Sequence, residues 1–323
     1  MTRCLTSKCC VVPVVLLLLS NSLWAKPVMG QYEGAFYPDS QVKINATAKV
    51  VDEGNNRYRL VIEARSADPT LEGAFIEIYG DANDRQVNIA GNAGGYHWHG
   101  QIKDGHLSAG SEYGQHFELD WVESKSPNAG MEPPAGAVIL LPYKAGAKAD
   151  LSAWTNSNWH ALDDGVMQCA RGKGANKTKQ QFSDMKHFHI EFKLPLEPTK
   201  RGQGRANSGV YLLDAYEVQV LDSFGLVHTS GDCGGLYNLA RAKVNASLPP
   251  ETWQTYDITF RTARKDENGK VTELPQVTVI HNGIKIHDKQ EIPGSNPRMK
   301  GPIQLQDHGH DIEFRNIWIV EGQ

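Results

Sequence analysis

Apolar residues in this chain recur at every second position, in short runs divided by turn-forming residues, which is the period of strands rather than helices. QVKINATAKVV, RYRLVIEAR and GAFIEIYG are separated by DEGNN, SADPT and DANDR. GQIKDGHLSAG reads as a hairpin turning at Asp104-Gly105, and HFELDWVES closes this first set. SPNAGMEPPAG, residues 126–136, follows with three prolines and two glycines. Proline donates no ladder hydrogen bond, so this segment is expected outside any sheet, as a linker at a domain boundary. Strand patterns then resume as FHIEFKL, GVYLL, YEVQVLD, TWQTYDITFRTA, QVTVIHNG, IKIHD and IEFRNIWIVE, with a hairpin signal at Asn282-Gly283. No convincing amphipathic helix of about ten residues or more interrupts them. The expectation is an all-β, two-domain chain: a jelly-roll β-sandwich over 137–323, preceded by a smaller β-rich domain over 30–130, read as an accessory sandwich.

The first 25 residues depart from this pattern. A short basic segment, MTRCLTSKCC, leads into VVPVVLLLLS and then Ala25. The apolar run is too short to span a bilayer, which needs about 20 residues. It reads as a cleaved export signal, so the mature protein is expected to be periplasmic or secreted. Removing it takes away Arg3 and Lys8, leaving 31 basic residues of 33 against 37 acidic ones, a formal charge of −6. That balance argues against nucleic acid or anionic lipid as the main partner. Cys169 and Cys233 then remain, either as one disulfide or as two buried thiols.

YEVQVLDSFG, residues 216–225, carries the most suggestive polar row. Tyr216, Val218 and Val220 take one face of a strand, and Glu217 and Gln219 the other. Strict alternation turns Asp222 inward. A β-bulge near Val220 or Leu221 would return it to the polar face, whereas without one it starts an Asp-Ser-Phe-Gly turn. The row also resembles a worn version of the acid motif of laminarinase-type glycoside hydrolases. Retaining glycosidases need two carboxyl groups about 5–5.5 Å apart, and here the middle acid is an amide.

The order GVMQC, TKQQF, NSGVYL, YEVQVLDS, NASLPPETWQTYDITFR, VTVIHNG, GPIQLQDHG and IEFRNIWI resembles the 3-keto-disaccharide hydrolase family from about Ala137 to Glu321. The resemblance implies a concanavalin A-like jelly roll that cleaves glycosides already oxidised at carbon 3. It further implies that one base removes the acidified proton on carbon 2, that the enolate expels the aglycone from carbon 1, and that water then adds back. On this reading Glu217 is the base, with His308 second. Lys179 and Arg205, or a divalent cation, stabilise the enolate oxygen. Gln219, Asn207 and Asp307 hold sugar hydroxyls, and Asp222 orients a neighbour or ligates a cation. Ala215 departs from the polar or basic residue usual there. Two rivals stay open: an endo-glucanase of the laminarinase type, and a carbohydrate-binding module without turnover.

Two further constellations have bland explanations. HFHIEF aligns His187, His189 and Glu191 on one face, an arrangement that could bind Zn²⁺, but Phe188, Ile190 and Phe192 explain the strand by themselves and the polar face reads as wet, so no metal ligand is assigned. Trp98 in YHWHG is expected half-buried at a loop tip rather than as a sugar platform, and Trp253 in the core beside Tyr256, Ile258 and Phe260.

Overall fold

The computed structural model describes residues 27–68, 70–83, 86–294 and 296–322. The export-signal reading, residues 1–25, therefore lies outside the described residues. The described chain is all-β and has two separate hydrophobic cores.

The first core fills a closed eight-stranded barrel, not a sandwich. Its strands are Gly30–Tyr37, Ile44–Asp52, Arg57–Ala64, Ala74–Asn83, Gln86–Ala93, Tyr96–Lys103, His106–Ser111 and His116–Val122, each antiparallel to the next, and the last pairs with the first. Closure removes the two open edges that a sheet would leave. Asp104 and Gly105, both at positive φ, make the expected two-residue turn. Trp98 is not at a loop tip. It sits mid-strand, 1% exposed, with its indole N–H donating to the Ala93 carbonyl at 3.0 Å. The alternation that takes Ile102 inward takes Trp98 with it.

The second core lies between two antiparallel sheets. The larger runs His160–Ala161, Met167–Gln168, Glu313–Glu321, Met185–Lys193, Trp253–Arg261, Gln276–His281 and Ile284–Glu291, with Val138–Leu141 also paired to Glu313–Glu321. The smaller runs Asn176–Lys177, Gln304–Leu305, Ser208–Leu212 and Tyr216–Val220. Phe188, Ile190, Phe192, Tyr256 and Ile258 from one sheet meet Val210, Leu212, Val218 and Val220 from the other. Asn282 and Gly283, both at positive φ, form the other expected hairpin turn. Trp253 is an odd position on a strand whose even positions face the core. It therefore lies outside the core, with the Arg315 guanidinium 4.1 Å from its ring centroid. Cys169 and Cys233 are two buried free thiols, the second 3.2 Å from the Tyr256 hydroxyl.

Residues 126–136 contain no strand, but they are no loose spacer. Ser126 bonds Thr255 at 2.7 Å, Asn128 donates to Asp257 at 2.7 Å, and the Gly130 N–H donates to Glu191 at 2.6 Å. The segment thus covers the outer face of the larger sheet.

Strand Tyr216–Val220 pairs with Ser208–Leu212 in unbroken register, so no bulge returns Asp222 to the polar face. Asp222 instead caps a turn, accepting from the Phe224 N–H at 3.3 Å, and pairs with Arg205 Nε at 2.6 Å. Arg205 Nη2 also donates to the Asp52 carbonyl of the barrel at 3.1 Å, beside the bond from Arg59 to the Gly225 carbonyl. Burial pushes the Asp222 carboxyl up while the guanidinium pulls it down. Arg205→Met strands a buried carboxylate, so the expected loss is about 3–5 kcal/mol, read as a lower urea midpoint. Adding Asp222→Leu should recover much of it. An unchanged midpoint in the single variant refutes the account.

Candidate functional site

The outer face of the four-stranded sheet is where the chemistry-bearing side chains gather. Strand register sets Lys177 beside Gln304, Gln304 beside Tyr211, and Tyr211 beside Glu217, one side chain from each strand in a single row. Partners across an antiparallel pair share a face. Val210, Leu212, Val218 and Leu305 flank this row in sequence and turn into the core, so the row turns out. The neighbouring row holds Gly209 and Gln219 as partners, with Gln306 bonded to the Gly209 carbonyl at 3.0 Å.

Glu217 is half-buried. Burial pushes its carboxyl above the ordinary glutamate value, and the hydroxyl of its cross-strand partner Tyr211 pulls it back. The Tyr211 phenol is raised in turn, first by burial and then by the Glu217 carboxylate, so it stays protonated and remains a donor. The Glu217 side chain passes over Gly209, where a Cβ would overlap Oε1. Glycine is required here for space, since its φ is not in the left-handed region. At the other end of the row Lys177 Nζ holds the Asp214 carboxylate at 2.8 Å. Gln306 Nε2 donates to the Tyr211 hydroxyl at 3.3 Å, tying the two rows together.

The remaining sequence-predicted residues are distributed unevenly about this face. Gln219 is on it but buried, donating to Gln203 Oε1 at 3.0 Å and to the Gly231 carbonyl at 3.3 Å. Asn207 is also buried and donates to the Gln203 carbonyl at 2.8 Å. Arg205 and Asp222 are brought together, but with each other and the barrel. Asp307 accepts from the N–H groups of Gly174 and Gly309 at 2.8 and 2.9 Å, which fixes two turns and holds its carboxyl below the ordinary value against burial. His308 is exposed on that turn, its ring stacked with His310 at 6.2 Å. Lys179 is exposed beyond the short strand, and Lys177 is the lysine in the row.

Sequence reasoning passed over Tyr211, Lys177, Gln304 and Gln306. Tyr211 was within reach, because in GVYLL it alternates against Val210 and Leu212. The other three stand on or beside two-residue strands too short to show a period. Among the described residues, the cluster of three side chains able to share a metal ion is His187, His189 and Asp257, on the other sheet. HFHIEF is accordingly not a wet face, since His189 and Glu191 are fully buried.

A model of the 3-keto-alpha-glucoside-1,2-lyase-like domain matches residues 146–320. A solved structure from Parabacteroides distasonis, named a "putative glycosyl hydrolase", is 36% identical over 58% of this chain and 85% of its own, with a TM-score of 0.52. A second structure of the same name and organism is 16% identical over 54% and 91%, with a TM-score of 0.40. No curated protein matches. The matched residues make up more than half of the chain and include every strand of the outward row, from Lys177 to Gln304. The chain belongs to the 3-keto-alpha-glucoside-1,2-lyase-like domain family.

Proposed function

We propose that the outward row cleaves the glycosidic bond of sugars oxidised at carbon 3, by elimination across carbons 1 and 2, with Glu217 as base. The observation that carries this reading is the Glu217–Tyr211 pair: one half-buried carboxyl of raised proton affinity beside a phenol that remains a donor. Glycoside cleavage has support from the family and from the name of the 36%-identical structure, and the 1,2-lyase of the family description fits elimination.

The ketone at carbon 3 acidifies the hydrogen on carbon 2. Glu217 takes that proton, and the electrons of the C–H bond pass into an enolate spanning carbons 2 and 3. When they return, a double bond forms between carbons 1 and 2 and the bond from carbon 1 to the aglycone oxygen breaks. Once Glu217 has taken the proton it no longer calls on the Tyr211 hydrogen, which turns to oxygen as charge develops, while Lys177, paired with Asp214, closes the far end of the row. Gln304 and Gln306 offer amides to sugar hydroxyls. Addition of water to carbon 1 completes net hydrolysis. One carboxyl base suffices for this route, whereas paired-acid hydrolysis requires two at a set spacing.

Glu217→Gln should lower turnover of a 3-keto-glucoside by about 10²- to 10⁴-fold with the fold intact by circular dichroism. Reaction of the native protein in heavy water should place deuterium at carbon 2. Release of sugar from unoxidised β-glucan alone, or equal turnover by both proteins, sinks the proposal.

The nearest atoms a Cβ at Gly209 meets all belong to the Glu217 side chain, the carboxyl first, so Gly209→Ala should fold yet displace the carboxyl and depress kcat by about tenfold or more. Native-like kcat in this variant would show that the carboxyl position over Gly209 is irrelevant.

The base must be ionised, and burial raises its proton affinity. The acid limb of kcat/KM should therefore lie above the ordinary glutamate range, with activity lost as pH falls through it. Tyr211→Phe removes the hydroxyl that favours the ionised form, so the limb should move to still higher pH. A limb that moves downward contradicts this pairing.

A further inference from the structure

The outer face of the larger sheet carries a second group of titratable side chains that the elimination chemistry leaves unused. His187 and His189 stand on Met185–Lys193, and Asp257 stands on Trp253–Arg261 as the Cα partner of His189. His187 Nε2 and His189 Nδ1 approach one oxygen, Asp257 Oδ1, at 2.8 and 2.7 Å. One donor atom from each residue lies within 4.8 Å of the other two. His189 is fully buried and Asp257 nearly so, whereas the His187 side chain is 34% exposed.

We propose that this trio binds one divalent transition-metal ion, zinc matching it best, with three protein ligands and a fourth position open to solvent through His187. Two imidazoles and a carboxylate are a donor set that zinc favours. Bonds of about 2.0–2.1 Å in a tetrahedron set ligand atoms about 3.3 Å apart. The two contacts to Asp257 Oδ1 therefore need to open by only about half an ångström, and the ligand atoms already lie within 4.8 Å of one another.

The surrounding groups are arranged as such a centre needs. Glu191 Oε1 lies 3.5 Å from His189 Nε2, so it draws the ring hydrogen to that nitrogen and leaves the Nδ1 lone pair for an ion. Glu191 is itself fixed by Arg315 Nε at 2.8 Å, Asn316 Nδ2 at 2.8 Å and the Gly130 N–H at 2.6 Å. Asn128 Nδ2 engages Asp257 Oδ2 at 2.7 Å, which leaves Oδ1 as the free corner of that carboxylate. Trp318 stacks on His189 at 5.1 Å and meets His187 edge-on at 4.7 Å, locking both rings. The rival arrangement is a doubly protonated His189 held between Asp257 and Glu191, which needs no ion.

The two are separated by metal content. The full-length protein is stripped with a chelator, dialysed against zinc and measured by elemental analysis, then reloaded with Co²⁺ as a spectroscopic probe. The expected result is about one equivalent of zinc per chain, a zinc-dependent rise in thermal midpoint, and the strong visible absorption of tetrahedral cobalt. His187→Ala, at a partly exposed position, should keep the fold and lose the cobalt bands and the thermal shift. His187→Gln keeps the side-chain bulk and a donor towards Asp257, and serves if the alanine variant folds poorly. Asn128→Ala should weaken zinc by about tenfold or more. Wild-type protein that retains no zinc overturns the proposal, as does equal retention by wild type and both His187 variants, which places the ion elsewhere.

Discussion

Both sheets of the sandwich turn one face to a shared apolar core, and that commitment decides which polar side chains are left outside it. A buried Val, Leu, Ile or Phe contributes about 1.5–3 kcal/mol. Val210, Leu212, Val218 and Val220 together thus outweigh any local preference of the polar residues between them. A slip of one residue would drive Glu217 and Tyr211 into the core and expose the valines, so register is locked. The outward row from Lys177 to Glu217 is then a consequence of packing on the opposite face.

Two carboxylates five residues apart show how environment divides their roles. Asp222, beyond the end of its strand, is deeply buried and answered by the full charge of Arg205, a pairing that ties the sandwich to the barrel. Glu217, within the strand, is half-buried and answered by a neutral phenol. Desolvation raises the proton affinity of both, but only Glu217 lacks a cation at hydrogen-bonding distance. A carboxyl that is desolvated, reachable and not neutralised is suited to drawing a proton from carbon. The buried ion pair is suited to holding two bodies together.

Strand existence and hairpin turns were legible because period two and positive-φ turn residues are local signals. Asp104-Gly105 and Asn282-Gly283 turn where their chemistry requires. Burial was less legible. Proximity to Tyr256 points Trp253 to the core, although their odd separation sets them on opposite faces. Trp98 was assigned to a loop because nothing local marks a barrel that closes on itself. Asp222 and Arg205, 17 residues apart, each looked like a candidate for chemistry, and only the tertiary fold reveals that they satisfy one another. Lys177 and Gln304 went unnoticed because their strands are two residues long.

HFHIEF shows the same limit from the other side. Its polar positions would be solvated on an uncovered sheet, and the sequence holds no local sign of a cover. The cover is the start of 126–136, the segment whose prolines and glycines bar it from any ladder and so leave its backbone and side-chain donors free to meet Thr255, Asp257 and Glu191. Those three residues lie within 146–320, the part of the chain that matches the family, while Ser126, Asn128 and Gly130 lie before it. The enclosure of this cluster is therefore a property of the whole chain. The segment that joins barrel to sandwich is also the segment that takes two carboxylates and a histidine out of water.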